Sequence, residues 1–178
     1  GACSIAKVPV QPQAKIDADN QLSYAIQMES GKDFSAAKES YTFLTEKYRS
    51  FADIQGMLIC LSGLARIELA NGNEAAYQNY KNRMQELIQN IAPELEYYLQ
   101  LLDIYYYQQE NNYAAISRIA TIKESYPKEI ALELATAKLQ ADSYLAIADE
   151  KQVKELITRL KKIEPQLKKT KYNNPELL

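Results

Sequence analysis

Apolar residues recur at intervals of three and four along most of the chain. Residues at this spacing share one face of an α-helix, so the pattern predicts amphipathic helices. One such stripe consists of Phe34, Ala37, Tyr41, Leu44 and Tyr48. Short polar breaks containing Gly, Asn or Asp separate the apolar runs, as expected for tight turns between helices. The pattern therefore predicts an all-α fold.

Eight helices are expected from these runs and breaks. They lie near residues 18–31, 34–49, 52–71, 74–91, 93–110, 113–126, 128–148 and 150–164. An Asp or Asn stands where a helix should begin in four of the breaks, at Asp33, Asn73, Asn112 and Asp149. Such side chains can accept hydrogen bonds from first-turn amides that have no partner inside the helix. We expect these four residues to be helix N-caps.

A period of 38 or 39 residues relates four helix pairs. Ala37, Ala76 and Ala115 are each 39 residues apart, and Val153 follows 38 residues later. Bulky residues come four positions after each, at Tyr41, Tyr80, Ile119 and Ile157, and a further three positions on are Leu44, Arg83, Ile122 and Leu160. Arg83 is the exception to this apolar pattern. Small residues at the alanine positions would let neighbouring helices approach closely.

Prolines punctuate the last two periods. Pro127 and Pro165 follow Ala115 and Val153 by twelve residues. We expect each proline to end a helix, because proline disfavours helical geometry in the residue before it.

The segments GKDFSAAKESYTFL and NNYAAISRIATIKESYP resemble the second helix of the tetratricopeptide repeat, in which an aromatic residue follows a small one by four and a proline closes the repeat. The periods here are longer than the usual length of about thirty-four residues, so the chain is tetratricopeptide-like. The resemblance covers most of the chain. It implies a right-handed α-solenoid of about four antiparallel helical hairpins over residues 18–165, whose stacking creates one continuous core.

The N-terminal segment contains a cysteine after two small residues. Gly-Ala-Cys resembles the end of the bacterial lipoprotein processing box, which implies that Cys3 carries lipid. Residues 1–17 would then be a flexible leader, in which VPVQP is an extended spacer of about 3 Å per residue. Ser4, rather than Asp, follows the cysteine, and in a Gram-negative cell this resemblance implies an outer-membrane location facing the periplasm. Residues 166–178 are expected to form a partly irregular tail.

Composition narrows the possible functions. The chain has 178 residues, a net charge of −2, five glycines and no histidine. The commonest general base and transition-metal ligand is therefore missing, and no phosphate-binding loop is recognisable. The net charge offers nucleic acid no long-range attraction. We expect no enzyme activity, no catalytic residue, no metal, no cofactor and no small-molecule substrate; Cys60, in the apolar run MLICLSGL, is expected to be buried.

Five tyrosines crowd the predicted helix 93–110. They are Tyr97, Tyr98, Tyr105, Tyr106 and Tyr107. Consecutive residues on a helix point in different directions, so some of these rings should be exposed. The first helices of tetratricopeptide-like pairs line a concave groove, so the resemblance implies that the rings contact a protein or peptide partner. The alternative is that they fill a core in a chain with three phenylalanines and no tryptophan.

Basic residues dominate residues 151–171, where eight Lys and Arg oppose two Glu and the net charge is +6. Such a segment is either the solvated face of a terminal helix or a surface for anionic lipid or an acidic partner.

The sequence therefore favours a non-catalytic protein–protein interaction scaffold or adaptor, tethered by lipid in the bacterial cell envelope. An unanchored soluble helical-repeat protein, either a cytosolic regulator or an enzyme with an unrecognised pocket, remains the alternative. A basic start and an apolar stretch encoded upstream of Gly1 would distinguish the lipoprotein.

Overall fold

A computed structural model describes residues 12–146 and 150–169, and these residues form α-helices and one short 3₁₀ helix without a strand. In chain order the α-helices are α1 (Gln13–Ser30), α2 (Phe34–Ser50), α3 (Ile54–Ala70), α4 (Glu74–Asn90), α5 (Tyr97–Gln109), α6 (Tyr113–Ile119), α7 (Lys128–Leu145) and α8 (Glu150–Lys169). The 3₁₀ helix, Pro93–Leu95, precedes α5. The predicted all-α class is confirmed for the described part of the chain.

Polar side chains start four of the helices. The side-chain oxygens of Asp33, Asn73 and Asn112 accept hydrogen bonds from the amide three residues later, at 3.3, 3.2 and 3.1 Å. These three predicted N-caps are confirmed. Asp53 caps α3 in the same way through the amide of Gly56 at 2.9 Å, which was not predicted. The fourth predicted N-cap, Asp149, lies outside the described residues.

Buried positions recur at a fixed distance from these N-caps. Four residues after each cap lie Ala37, Met57, Tyr77 and Ile116, none more than 5% exposed. The predicted alanine spacing is off by one residue in α4, because Ala76 is only half-buried and Tyr77 takes the buried position. The same one-residue shift explains why Arg83 interrupts the predicted apolar pattern, because the buried residue of that turn is Met84.

Helix α6 is much shorter than predicted. It ends at Ile119 rather than near residue 126, and Pro127 precedes α7 instead of ending α6. The side-chain Nε2 of Gln100 on α5 donates hydrogen bonds to the backbone carbonyls of Ile119 and Thr121, at 2.6 and 2.7 Å. Carbonyls at the end of α6 therefore have partners outside the helix, which favours its termination.

The predicted helix end at Pro165 is also wrong, because Pro165 lies inside α8, which continues to Lys169. Proline cannot bond the carbonyl four residues earlier, that of Lys161. Both residues are exposed, so water can satisfy this carbonyl and the helix can continue.

The predicted termini are described only in part. Helix α1 begins at Gln13, earlier than the predicted start at residue 18, so the end of the expected leader is helical. Cys3 and most of the leader lie outside the described residues, as do residues 170–178 of the expected tail.

The helices pack mainly on their neighbours in the chain, and alternate helices also touch. Contacts join α1 to α3, α3 to α5 and α5 to α7. One core cluster extends from α1 to α5 around α3, and a second joins α5, α6 and α7. Leu102 of α5 belongs to the first cluster, whereas Tyr97 and Ile104 belong to the second. Helix α5 therefore connects the two cores.

Candidate protein-binding surface on α5

The five tyrosines of α5 differ in burial. Tyr97 is 4% exposed and is part of the core, whereas Tyr98, Tyr105, Tyr106 and Tyr107 are half-buried. This split follows from the position of α5 between two cores, because its rings must point toward both cores as well as toward solvent. Little of Tyr97 is accessible to a partner.

Rings at the N-terminal end of α5 form one aromatic group. Tyr97 lies 4.8 Å from Tyr98 and 5.4 Å from Tyr126 between ring centroids, the second contact being edge-on. The hydroxyl of Tyr98 accepts a hydrogen bond from Nε2 of Gln55 on α3, at 2.9 Å. Burial raises the pKa of Tyr98 to about 12, so its hydroxyl stays neutral near pH 7. These contacts hold the half-buried Tyr98 ring in one orientation beside α3.

Rings at the C-terminal end of α5 form a second group, with α4. Tyr106 stacks on Tyr77 with a centroid distance of 5.4 Å, and its hydroxyl donates to the carboxylate of Glu74 at 3.2 Å. Tyr107 meets Tyr106 edge-on at 5.6 Å. The negative charge of Glu74 raises the pKa of Tyr106. Tyr106 thus joins α4 to α5.

The five rings do not form a single surface. Tyr97 and Tyr106 are nine residues apart, or about 13 Å along a helix axis. Tyr98 and Tyr105 are seven residues apart and so share one face of α5. The bond from Gln55 to Tyr98 shows that this face borders α3. Tyr98 and Tyr105 are therefore the pair best placed for a common contact.

A charged network between α1, α2 and α3 was not predicted from the sequence. Arg66 donates to both carboxylate oxygens of Glu29, from Nε at 2.6 Å and from a terminal guanidinium nitrogen at 2.9 Å. Tyr41 donates to the same carboxylate at 2.6 Å. Burial raises the pKa of Glu29, but the bonds from Arg66 and Tyr41 outweigh it and hold that pKa below its ordinary value. The carboxylate is therefore ionised and bonded on both oxygens, which suits a structural role.

Cys60 is fully buried, as predicted. Burial raises the pKa of its thiol to about 12, which disfavours the nucleophilic thiolate. Within residues 12–146 and 150–169, no three His, Cys, Asp or Glu side chains are placed to hold a metal ion. None of the helices in this part of the chain is long and apolar enough to cross a membrane.

No protein-family model, curated protein or solved structure matches the chain. The arrangement of its own side chains is therefore the basis of the function proposed below.

Proposed function

We propose that the chain is a tetratricopeptide-like α-solenoid that acts as a non-catalytic protein-interaction scaffold, tethered by lipid on Cys3 in the bacterial cell envelope. The packing supports the array, since alternate helices α1, α3, α5 and α7 contact one another in order and α2, α4 and α6 each contact the helix that follows. In a solenoid, each helical hairpin contacts chiefly its neighbours in this way. The outer membrane, on its periplasmic side, is the proposed location.

The observation that carries the proposal is that half-buried tyrosine rings at both ends of α5 are held in place by neighbouring side chains. Tyr98 is held by Gln55, and Tyr106 is held by Tyr77 and Glu74. Rings that are already ordered lose little conformational entropy when they bind, so they provide contact area at low cost. Tyrosine is also enriched among the residues that dominate binding energy.

The proposed contact centres on the face shared by Tyr98 and Tyr105. On α3, Gln55, Ile59, Arg66 and Leu69 follow one another at helical spacing and are not fully buried. Because α3 and α5 touch, these residues and the two tyrosines can line adjacent walls of one surface. A protein or peptide segment is the partner that such a mixed aromatic and polar surface fits.

Site-specific photocrosslinking tests the proposed surface. A photoreactive phenylalanine analogue at position 105 should crosslink one specific protein in native cells. The same analogue at position 24 is the matched control, because Tyr24 is 63% exposed and stands on α1, which does not pack on α5. An identical crosslinking pattern from both positions, or none from position 105, would contradict the proposal.

The lipid anchor is tested separately with the two cysteines of the chain. Mass spectrometry of protein from native membranes should find lipid on Cys3, and Cys3→Ser should remove both the lipid mass and the membrane association. Cys60→Ser is the matched control and should keep both. An unmodified Cys3 in the native protein would refute the anchor without affecting the binding surface.

A further inference from the structure

An apolar groove of about 530 Å³ lies between α7 and α8. Its apolar wall includes Leu139 of α7 and Val153, Leu156, Ile157 and Leu160 of α8. Arg159 of α8 donates to Asp142 of α7 at 2.8 Å, which fixes the two helices that form the groove. No residue of α5 lines this groove, so it is separate from the face shared by Tyr98 and Tyr105.

Three large apolar residues remain exposed along this groove. Val153, Ile157 and Leu160 are 43%, 46% and 49% exposed and follow one another at steps of four and three on one face of α8. Single exposed apolar side chains are ordinary, whereas a contiguous strip beside a groove is typical of an interaction site.

The packing of the earlier helices indicates which shape fits this groove. Helix α3 packs on α1 and α2, α5 packs on α3 and α4, and α7 packs on α5 and α6. Each helix pair before α7 is thus covered by the next helix. The α7–α8 groove is the equivalent position, and among the described residues no helix fills it. A helix is the element that this position accepts.

Charge indicates which kind of helix would bind. Residues 150–169 contain seven basic and three acidic side chains, a net charge of +4, while residues 12–146 have a net charge of −6. Lys161 is four residues after Ile157 and therefore lies beside it, about 40° further around α8. Lys154 lies about 60° from Ile157 on the same side. Glu164, seven residues after Ile157, lies about 20° from it on the side of Leu160, at the C-terminal end of the apolar strip rather than on the lysine edge.

The opposite edge of the groove has no net charge. Thr136, Gln140 and Ser143 of α7 supply neutral polar groups there. A ligand in the groove would therefore meet an apolar floor, one neutral edge and one edge with lysines.

We propose that the α7–α8 groove binds an amphipathic helix of another protein, with apolar residues on one face and acidic residues along the flank that meets Lys154 and Lys161. Helices bind grooves of this kind through apolar side chains at helical spacing. Opposite charge at the edge orients the ligand and selects its partner.

Two other occupants fit the groove less well. A second copy would have to bring either α8, which carries the same positive charge, or an acidic helix such as α1. The exposed apolar residues of α1, Ile16, Tyr24 and Ile26, spread over about 160° and form no narrow stripe. An anionic membrane surface attracts lysines, but it is too broad to fill a concave groove between two helices.

Binding of designed peptides to the full chain tests the proposal. The probes are three fluorescent helical peptides: one with a leucine stripe and glutamate flanks, one with lysine in place of each glutamate, and a scrambled form of the first. Fluorescence anisotropy should show binding of the acidic peptide and much weaker binding of the other two. The affinity should fall as salt is raised, because the edge contacts are exposed.

Two neighbouring lysines supply a matched pair of variants. Position 161 lies at the groove edge, so Lys161→Glu should weaken binding of the acidic peptide by up to about fivefold. Lys162→Glu makes the same charge change about 140° from Ile157 and should change the affinity by less than about twofold. Ile157→Asp should weaken binding by about tenfold or more, since it charges the apolar floor. Circular dichroism checks that each variant remains helical.

Several outcomes would overturn the proposal. Equal effects of the two lysine variants, or equal binding of the scrambled peptide, would show that the groove edge does not select the ligand. Binding to phosphatidylglycerol vesicles without binding to the acidic peptide would assign the surface to lipid. Dimers in sedimentation velocity that Ile157→Asp dissociates would assign it to a second copy.

Discussion

The ring of Tyr41 on α2 lies so close to Gly63 on α3 that a Cβ at Gly63 would stand 2.5 Å from Cζ of Tyr41. Tyr48 covers Gly56 in the same way, and both pairs are separated by seven residues along their helices. Two tyrosine rings therefore lie against the backbone of α3 over two turns. The missing side chains of the glycines allow this close approach.

Gly63→Ala should lower the free energy of unfolding by about 1–3 kcal/mol, because the added methyl group overpacks against a fully buried ring. The higher helix propensity of alanine offsets only part of this loss. Gly31→Ala is the matched control: Gly31 has a negative φ, and a Cβ there would lie 3.4 Å from its nearest neighbour. Urea denaturation measures both variants. Equal stabilities would show that the Tyr41 contact can relax freely.

Stability should fall below about pH 4.5, where the carboxylates of the fold begin to be protonated. The pKa of Glu29 is lower in the folded chain than its ordinary value, so its stabilisation is present above that ordinary value and is lost as pH falls through the folded value. The pKa values of Asp53 and Asp142 are also lowered in the folded chain, so these two carboxylates likewise lose their stabilising effect as pH falls. Glu29→Gln should therefore flatten the acid limb of the stability curve measured by urea denaturation at each pH.

Glu46→Gln is the control for this pH experiment. Glu46 pairs with Arg49 at the surface, where such pairs contribute about 0–1 kcal/mol. Its curve should follow that of the unmodified chain. The Glu29 interpretation fails if both variants change the acid limb equally.

Arg66→Met should destabilise the fold by about 2–4 kcal/mol, because it leaves the carboxylate of Glu29 in a mostly buried site without its cation. The double variant Glu29→Gln with Arg66→Met should recover part of this loss, since no unpaired charge remains. Thermal and urea unfolding of the four chains give the coupling energy of the pair. Additive effects would show that the pair contributes no net coupling.

Tyr97→Ala should lower the free energy of unfolding by about 3–5 kcal/mol, as expected for truncation of a buried ring. Tyr105→Ala should have a smaller effect on stability and should weaken partner binding by about 1–2 kcal/mol if Tyr105 contacts the partner. Circular dichroism measures unfolding. Binding is measured with the purified partner that photocrosslinking identifies. A Tyr105→Ala chain that loses stability as Tyr97→Ala does, yet binds normally, would assign Tyr105 to packing alone.

Cys60 should resist alkylation in the folded chain at neutral pH, because its thiol is buried and its pKa is raised to about 12. Cys3 should react readily if it is unmodified, and it serves as the internal comparison. Mass spectrometry after timed labelling measures both sites. In urea, Cys60 should become reactive along the same transition as the loss of helix; fast labelling in native buffer would contradict its burial.

Local sequence patterns determined most of the helices and three of their N-caps. Asp33, Asn73 and Asn112 were predictable because each bonds an amide only three residues away, so the interaction requires no knowledge of the fold. The stripe that includes Ala37, Tyr41, Leu44 and Tyr48 was predictable for the same reason, and these four residues are fully buried.

Distant contacts decided what the local patterns did not. The side chain of Gln100, nineteen residues before Ile119, donates a hydrogen bond to the Ile119 carbonyl, which favours the early end of α6. Glu29 and Arg66 are 37 residues apart, and nothing in their local spacing pairs them.

The two candidate binding surfaces also depended partly on local sequence and partly on tertiary structure. Sequence alone located the aromatic residues of α5 and the basic residues of α8, because composition and helical periodicity are local properties. Which tyrosines remain accessible, and that α8 borders a groove with α7, depended on tertiary structure. The physical reason is that a side chain's exposure is set by the helices packed around it, and those helices come from distant parts of the chain.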